Sequence, residues 1–420
     1  MSRLRLCLPF LAVALAGCLD APVSWSPDGK RVAFRVCRTH QHDQRKSGKG
    51  EIWIADVATG ACTLVETCDE GLGAPSWSPN GESLAWLTAK GEVVLWRSQG
   101  AARRVLAESS PVWDPDALRM QRPSWSPKGD AVAFPLGAED AASIGWFDAE
   151  TGDHRTIAEN AMFPLFAPDG ANILGCQKGQ SDNLDLMVWP AAGGAGRRVG
   201  SWSKDPPEIP LWPEVWSPDG TAVATSYVTR ENNEATLLRV RILPIDGGAC
   251  VESRAPCESP LSLLVFAWPG GKEGILALGM PHQTHTTPYQ IVRIDPATGA
   301  SELLGGLHGC SYVSGAALSP DGGTIAYLAA GNGDSTPSLR LRSVADGKER
   351  IVFPSLEDAI EYLEGMSSEV GSATRSEKAA GFELLCDAAL ADVEEALVRY
   401  PRHSRLIEIQ NDILNLHPEK

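Results

Sequence analysis

Several motifs that mark common catalytic folds are missing from this chain of 420 residues. It has no Gly-x-Ser-x-Gly stretch, the sharp strand-to-helix turn that lifts a hydrolase serine above its sheet. It has no Cys-x-x-Cys pair, no Gly-x-x-x-x-Gly-Lys-Ser/Thr loop and no Gly-x-Gly-x-x-Gly turn, which sets aside a metal ribbon, a phosphate cradle and a dinucleotide fold. Positive charge is scarce, with 37 Lys and Arg against 53 Asp and Glu and a formal charge of −16. Without a Lys/Arg-rich stripe such a surface repels phosphate backbones, so nucleic acid is not an expected partner. The apolar run near the N-terminus, 7–16, falls short of the ~20 residues that a membrane-crossing helix needs. Abundant instead are Gly, 41 residues, and Pro, 30 residues, which fits a chain with many turns. Apolar content of 43% and charged content of 21% are those of a globular protein with a large core.

Arg3 and Arg5 precede the apolar run and complete the pattern of a secretory signal peptide. The run ends in Leu15-Ala16-Gly17-Cys18, which resembles the lipobox of bacterial lipoproteins. That resemblance implies cleavage of residues 1–17 as a signal peptide and acylation of Cys18. It also implies a membrane tether on an exported protein. Leu19 in place of Asp after the cysteine implies transfer to the outer membrane, on its periplasmic face or at the cell surface. Of the ten cysteines, setting aside Cys7 and Cys18 leaves eight, and an oxidising compartment permits disulfides. Cys62 with Cys68 and Cys250 with Cys257 are the local candidates, each closing a short loop. Spacing does not fix connectivity.

An internal repeat organises the rest. Ser24-Trp25-Ser26-Pro27-Asp28-Gly29 leads into Arg31-Val32-Ala33-Phe34. Variants return around Trp77, Trp125, Phe166, Trp216 and Leu318, with a worn copy at Trp268. The intervals between these markers are 52, 48, 41, 50, 52 and 50 residues, the length of one four-stranded propeller blade with generous loops. Ser-Pro-Asp-Gly suits a tight hairpin, because Pro pre-sets φ, Asp bonds its own backbone and Gly accepts a left-handed conformation. A second hairpin signal, Asp-x-x-Thr-Gly, follows in several repeats, as at Asp56-Thr59-Gly60 and Asp295-Thr298-Gly299. The expected fold is therefore all-β, a seven-bladed β-propeller over 18–354. Six blades is the alternative if the worn copy is an insertion, but a second hairpin in 289–304 favours seven.

These motifs resemble the WD40-like Pro-Asp repeats of the TolB propeller and its relatives, over 21–354. The resemblance implies the fold and is silent on activity, since the same repeat serves scaffolds, peptidase gating domains and lyases. TolB carries an α/β domain before its propeller, whereas here three residues separate Cys18 from the first repeat. TolB's partners are therefore not carried over. The motif aspartates Asp28, Asp169, Asp219 and Asp321 already have a role in the turns, so no catalytic residue is expected among them.

Beyond Pro354 the pattern becomes helical. Ser355-Leu356-Glu357-Asp358 is a start signal, and Leu356, Ile360 and Leu363 share a face. So do Phe382, Cys386, Ala389, Val393, Leu397 and Tyr400, and then Leu406, Ile409, Ile413 and Leu416. Residues 355–420 are expected to form a helical extension that packs on the propeller's flank or on itself, the alternative being a docking arm for a partner.

One constellation invites a chemical role. His40 and His42 fall between the second and third strands of blade 1, His282 and His285 in the equivalent connection of blade 6, and His308 before blade 7. All belong to the face opposite the Ser-Pro-Asp-Gly turns, and imidazoles gathered there suit a divalent metal. Oligogalacturonate lyases are similar propellers with a loop-held metal, a likeness of architecture only. No cofactor is expected beyond that candidate metal. The leading expectation is a membrane-anchored scaffold with a protein or ligand partner, and oligomeric state is left open. The alternative is a metal-dependent extracytoplasmic lyase or hydrolase. Candidate contact loops are 35–50, 200–214, 230–235 and 281–288. The second of these carries Trp202 and Trp212, placed either outward for a partner or inward against the blades.

Overall fold

The Ser-Pro-Asp-Gly segments build the molecule. In the first, Ser26 Oγ donates to Asp28 Oδ1 at 2.5 Å and accepts from the Arg31 amide at 2.9 Å, while the Lys30 amide donates to Asp28 Oδ1 at 3.1 Å. Gly29 closes the turn at φ +67°, a backbone conformation nearly reserved for glycine. Where Lys128 replaces the aspartate, Ser126 Oγ donates instead to Asp130 Oδ1 at 2.5 Å. The turn therefore keeps its bonding after its sequence has drifted.

In the computed structural model of this protein the described residues are 22–38, 49–108, 122–137, 142–179, 183–202, 208–231, 234–253, 261–269, 274–281, 289–307, 312–330, 337–373 and 379–416. Val23–Trp25, Arg31–Arg38, Lys49–Asp56 and Cys62–Cys68 pair in that order as one antiparallel sheet. Seven such four-stranded sheets follow one another along the chain. The worn copy forms a complete blade from Leu261–Ala267, Ile275–Pro281, Tyr289–Ile294 and Ser301–Leu307, which removes the six-blade alternative. First strands of neighbouring blades touch one another around the ring and so lie innermost. Each sheet is made of consecutive strands, and among the described residues the ring closes without strand exchange.

The large-small-large run after the turns of blades 1, 2, 3 and 7 has a packing cause. Val32 and Phe34 face blade 7, whereas Ala33 between them lies beneath Trp77 of blade 2. Likewise Val132 and Phe134 face blade 2, while Ala133 lies against Phe166 of blade 4. Both faces of a blade are thus buried, at roughly 25 cal/mol per Å² of apolar surface removed from water. Two polar staples repeat along these seams. On the inside, indole N–H groups reach the first strand of the preceding blade: Trp25 to Ala317 O at 3.0 Å, Trp125 to Ser76 O at 3.0 Å and Trp216 to Leu165 O at 3.3 Å. On the rim, outer-strand arginines reach a turn of the following blade, with Arg104 to Thr151 O at 2.6 Å, Arg155 to Ala191 O at 2.8 Å and Arg350 to Val57 O at 2.6 Å. Arg197 donates to Ile245 O in the same way.

After the last blade come three helices, α1 (Leu356–Ala373), α2 (Ala379–Arg399) and α3 (Ser404–Leu416). Ser355 Oγ accepts from the Asp358 amide at 3.2 Å, and the Ser355 amide donates to Asp358 Oδ2 at 3.1 Å. This reciprocal cap satisfies otherwise orphaned donors. The expected periodic residues Leu363, Cys386, Ala389, Val393, Leu406, Ile409 and Ile413 are buried in one cluster that also takes in Ile351 and Phe353 of blade 7. The helices therefore pack both on one another and on the propeller's flank.

One expectation is corrected. Cys62 and Cys68 are the first and last residues of a single strand and are free thiols. Six steps of ~3.3 Å hold their Cα atoms about 20 Å apart, beyond the roughly 7 Å limit for a disulfide. The spacing had suggested a loop, but the residues between them are extended. Cys250 is an exposed thiol, and its candidate partner Cys257 lies outside the described residues.

Candidate functional site

The turn face and the opposite face differ in kind. On the turn face, Asp56 Oδ1 accepts from the Thr59 amide and hydroxyl, each at 2.8 Å, and Asp295 Oδ1 does so from Thr298 at 2.7 and 2.9 Å. Ser217 Oγ and the Thr221 amide bond Asp219 at 2.6 and 3.0 Å and hold its carboxyl down to about 2. Asp28 and Asp321 are likewise lowered, first by their serine hydroxyls. Asp169 accepts from the Ala171 amide at 2.8 Å. All four motif aspartates therefore bond their own turns, as expected.

The opposite face carries connections that follow no common pattern. In blade 2 the connection is a tight turn, with the Gly91 amide donating to Thr88 O at 2.9 Å. In blade 1 the same connection runs from Arg38 to Lys49, and in blade 6 from Pro281 to Tyr289. His40, His42, His282, His285 and His308 lie outside the described residues, as does Cys18. Among the described residues no group of three or more His, Cys, Asp or Glu could hold a metal ion. Of the candidate contact loops, 39–48, 203–207, 232–233 and 282–288 fall outside the described residues, whereas 208–214 and most of 230–235 belong to the strands Glu208–Trp216, Ala222–Glu231 and Glu234–Pro244. Trp202 is buried at the end of Arg197–Trp202, with its ring 5.4 Å from that of Tyr227. Arg241 lies over both rings and bonds Glu252 at 2.9 Å, so this aromatic is clamped between blades 4 and 5.

That same seam holds a group the sequence reading missed. Glu214, two residues before the motif Trp216, is 6% exposed. Burial pushes its carboxyl up to about 8, opposed only by its own backbone amide, so it is protonated at neutral pH. Buried Cys176 lies near it, its thiol raised first by burial and then by Glu214 and Asp185. Asp185 itself has a buried oxygen with no hydrogen-bond partner among the described residues. A signal was present in the sequence: the matching positions in other repeats are Val23, Pro75, Pro123, Pro164, Phe266 and Ala316, all apolar.

No family model matches the sequence. A curated relative, the uncharacterized peptidase YuxL of Bacillus subtilis (strain 168), is 23% identical over 124 residues, a match to 29% of this chain and 18% of that protein. The chain thus matches less than a fifth of that relative's length. The β-propeller domain of the Trilobed protease from Pyrococcus furiosus superposes with a TM-score of 0.53 at 13% identity, over 80% of this chain and 97% of that one. An oligogalacturonate lyase from Vibrio parahaemolyticus gives 0.52 at 13% identity, over 78% and 92%. TolB from Acinetobacter baumannii gives 0.44 at 15% identity, over 78% of this chain and 64% of that one. Fold is what these structures share. The class is a seven-bladed β-propeller, closed without strand exchange among the described residues. No helix among the described residues is long and apolar enough to cross a membrane.

Proposed function

We propose that this protein is an exported scaffold, tethered through lipid on Cys18, that binds a protein or ligand partner with the face opposite its Ser-Pro-Asp-Gly turns. The contrast between the faces carries this reading. One face repeats a single hydrogen-bonded turn, and its carboxylates are engaged by their own backbone. The other presents connections of unequal length and composition on a ring fixed by staples at several seams, which is where rigid scaffolds place recognition. The net charge of −16 favours neutral or basic partners.

The test exchanges connections. Replacing residues 39–48 or 282–288 with the Thr88–Gly91 turn sequence should remove partners that co-purify from membranes, while Asp169→Asn on the turn face should leave them bound. The opposite pattern overturns the assignment of faces. Cys18→Ser should release the protein from the membrane fraction. Stoichiometric manganese or zinc in purified protein, lost when His40, His42, His282, His285 and His308 become Ala, would replace the scaffold with a metal-dependent lyase or hydrolase.

A further inference from the structure

We infer that the three C-terminal helices form a strap that holds the ring shut at one seam, between blades 7 and 1. That seam differs from the other six by topology. Elsewhere consecutive blades are joined by the chain itself, but among the described residues blades 7 and 1 meet with no shared strand. Their direct bonds, Trp25 to Ala317 and Arg350 to Val57, join residues 292 and 293 positions apart. Closing so long a loop costs chain entropy that no disulfide among the described residues offsets.

The strap compensates from both sides of the junction. On blade 7 its apolar cluster takes in Ile351 and Phe353, and Arg399 donates to the Phe353 carbonyl. Arg340, 5% exposed, donates to the Tyr362 hydroxyl, which in turn donates to Asp392 Oδ2 at 2.9 Å. On blade 1, the Arg399 guanidinium and the Tyr400 ring lie close enough to the Cys62 thiol to interact with it, and Gly60 of the adjoining turn lies against the Arg350 guanidinium. Arg350 joins all three bodies. It belongs to the outer strand of blade 7, donates to Val57 O of blade 1 and pairs through Nε with Glu395 of α2 at 2.7 Å. Both charges of that last pair are about one-third exposed, so water and salt reach the strap's hold on the seam.

Hydrogen exchange and thiol labelling on the full chain test this. The double variant Glu395→Ala with Arg399→Ala should speed amide exchange in Val23–Trp25 about tenfold or more. Labelling of Cys62 should rise with it, while Cys68 and the strands Ala131–Leu136 and Asn172–Lys178 stay unchanged. Tyr362→Phe, which removes one oxygen, should shift the same sites by a smaller factor and keeps the test open if the double variant folds poorly. Faster labelling of Cys62 with unaltered exchange in Val23–Trp25 would mean that the ring stays closed without the strap, and overturns the inference. Equal acceleration in all seven blades, or no change anywhere, overturns it as well.

Discussion

The seam between blades 2 and 3 and the seam between blades 4 and 5 use the same parts to different effect. Both have a motif tryptophan whose indole bonds the preceding blade, at 3.0 Å from Trp125 and 3.3 Å from Trp216. Around Trp125 lies an apolar cluster with Phe134 and Phe147 edge to face at 6.0 Å, and the buried polar side chains beside it are the neutral serines Ser76, Ser124 and Ser126. Around Trp216 the apolar cluster is flanked by Glu214, kept protonated by burial, and by the Arg241 stack on Trp202 and Tyr227. The propeller joint therefore accepts a buried acid as long as the acid stays neutral.

The largest effect should come from removing the shared part. Trp125→Ala should cost about 3–5 kcal/mol in chemical denaturation, because a buried aromatic and an inter-blade bond are lost together. A loss under ~1 kcal/mol would show that the indole is not the joint's main element.

Next comes the part that differs. The folded carboxyl of Glu214 titrates near 8, above the ~4.3 of an unfolded glutamate. Between those values the native state holds the extra proton, so stability falls as pH rises, by at most about 1.4 kcal/mol per pH unit. Glu214→Gln should match the native protein near pH 4 and exceed it by a few kcal/mol at pH 9. Parallel denaturation curves at both pH values would remove the distinction between the two seams.

Ala133→Leu should then cost about 1–3 kcal/mol by overpacking, since the alanine lies against Phe166 of the next blade. Thermal denaturation measures it, and a neutral result would show spare volume at that joint.

The smallest effect belongs to the turns. Asp219→Asn should cost less than about 1 kcal/mol at neutral pH, because Asn80 fills the same role in blade 2. Asp219 titrates near 2 when folded, below the ~3.9 of an unfolded aspartate. Its contribution is therefore present above ~3.9 and fades as pH falls towards 2. A gap between variant and native protein that persists at pH 2 would point to packing in place of charge.

The propeller was legible because each turn carries its own signal, and the large-small-large strands confirmed the hairpins. Blade 6 was legible from its second hairpin even though its first turn reads Trp268-Pro269-Gly270-Gly271. The candidate site was less legible for physical reasons. Glu214 is acidic in a slot otherwise filled by Val, Pro, Phe or Ala, yet its protonation depends on burial, which residues distant in sequence provide. Trp202 was readable as an aromatic near prolines, but its direction depends on Arg241 and Tyr227 in the next blade. Cys62 and Cys68 misled because a gap of five residues looks the same in a loop and in a strand.

The alternation of bulk along the second strands of blades 1, 2, 3 and 7 also gives the repeat a direction. A blade turns Val32 and Phe34 backward and leaves a hollow at Ala33 for the tryptophan that follows, so it works as a joint with one plug and one socket. A duplicated copy could seat between its parents without inventing a contact, and a drifting copy such as that at Trp268 stays gripped from both sides. Blade number in such a ring can change by whole units, and each unit tolerates decay that would unfold it alone.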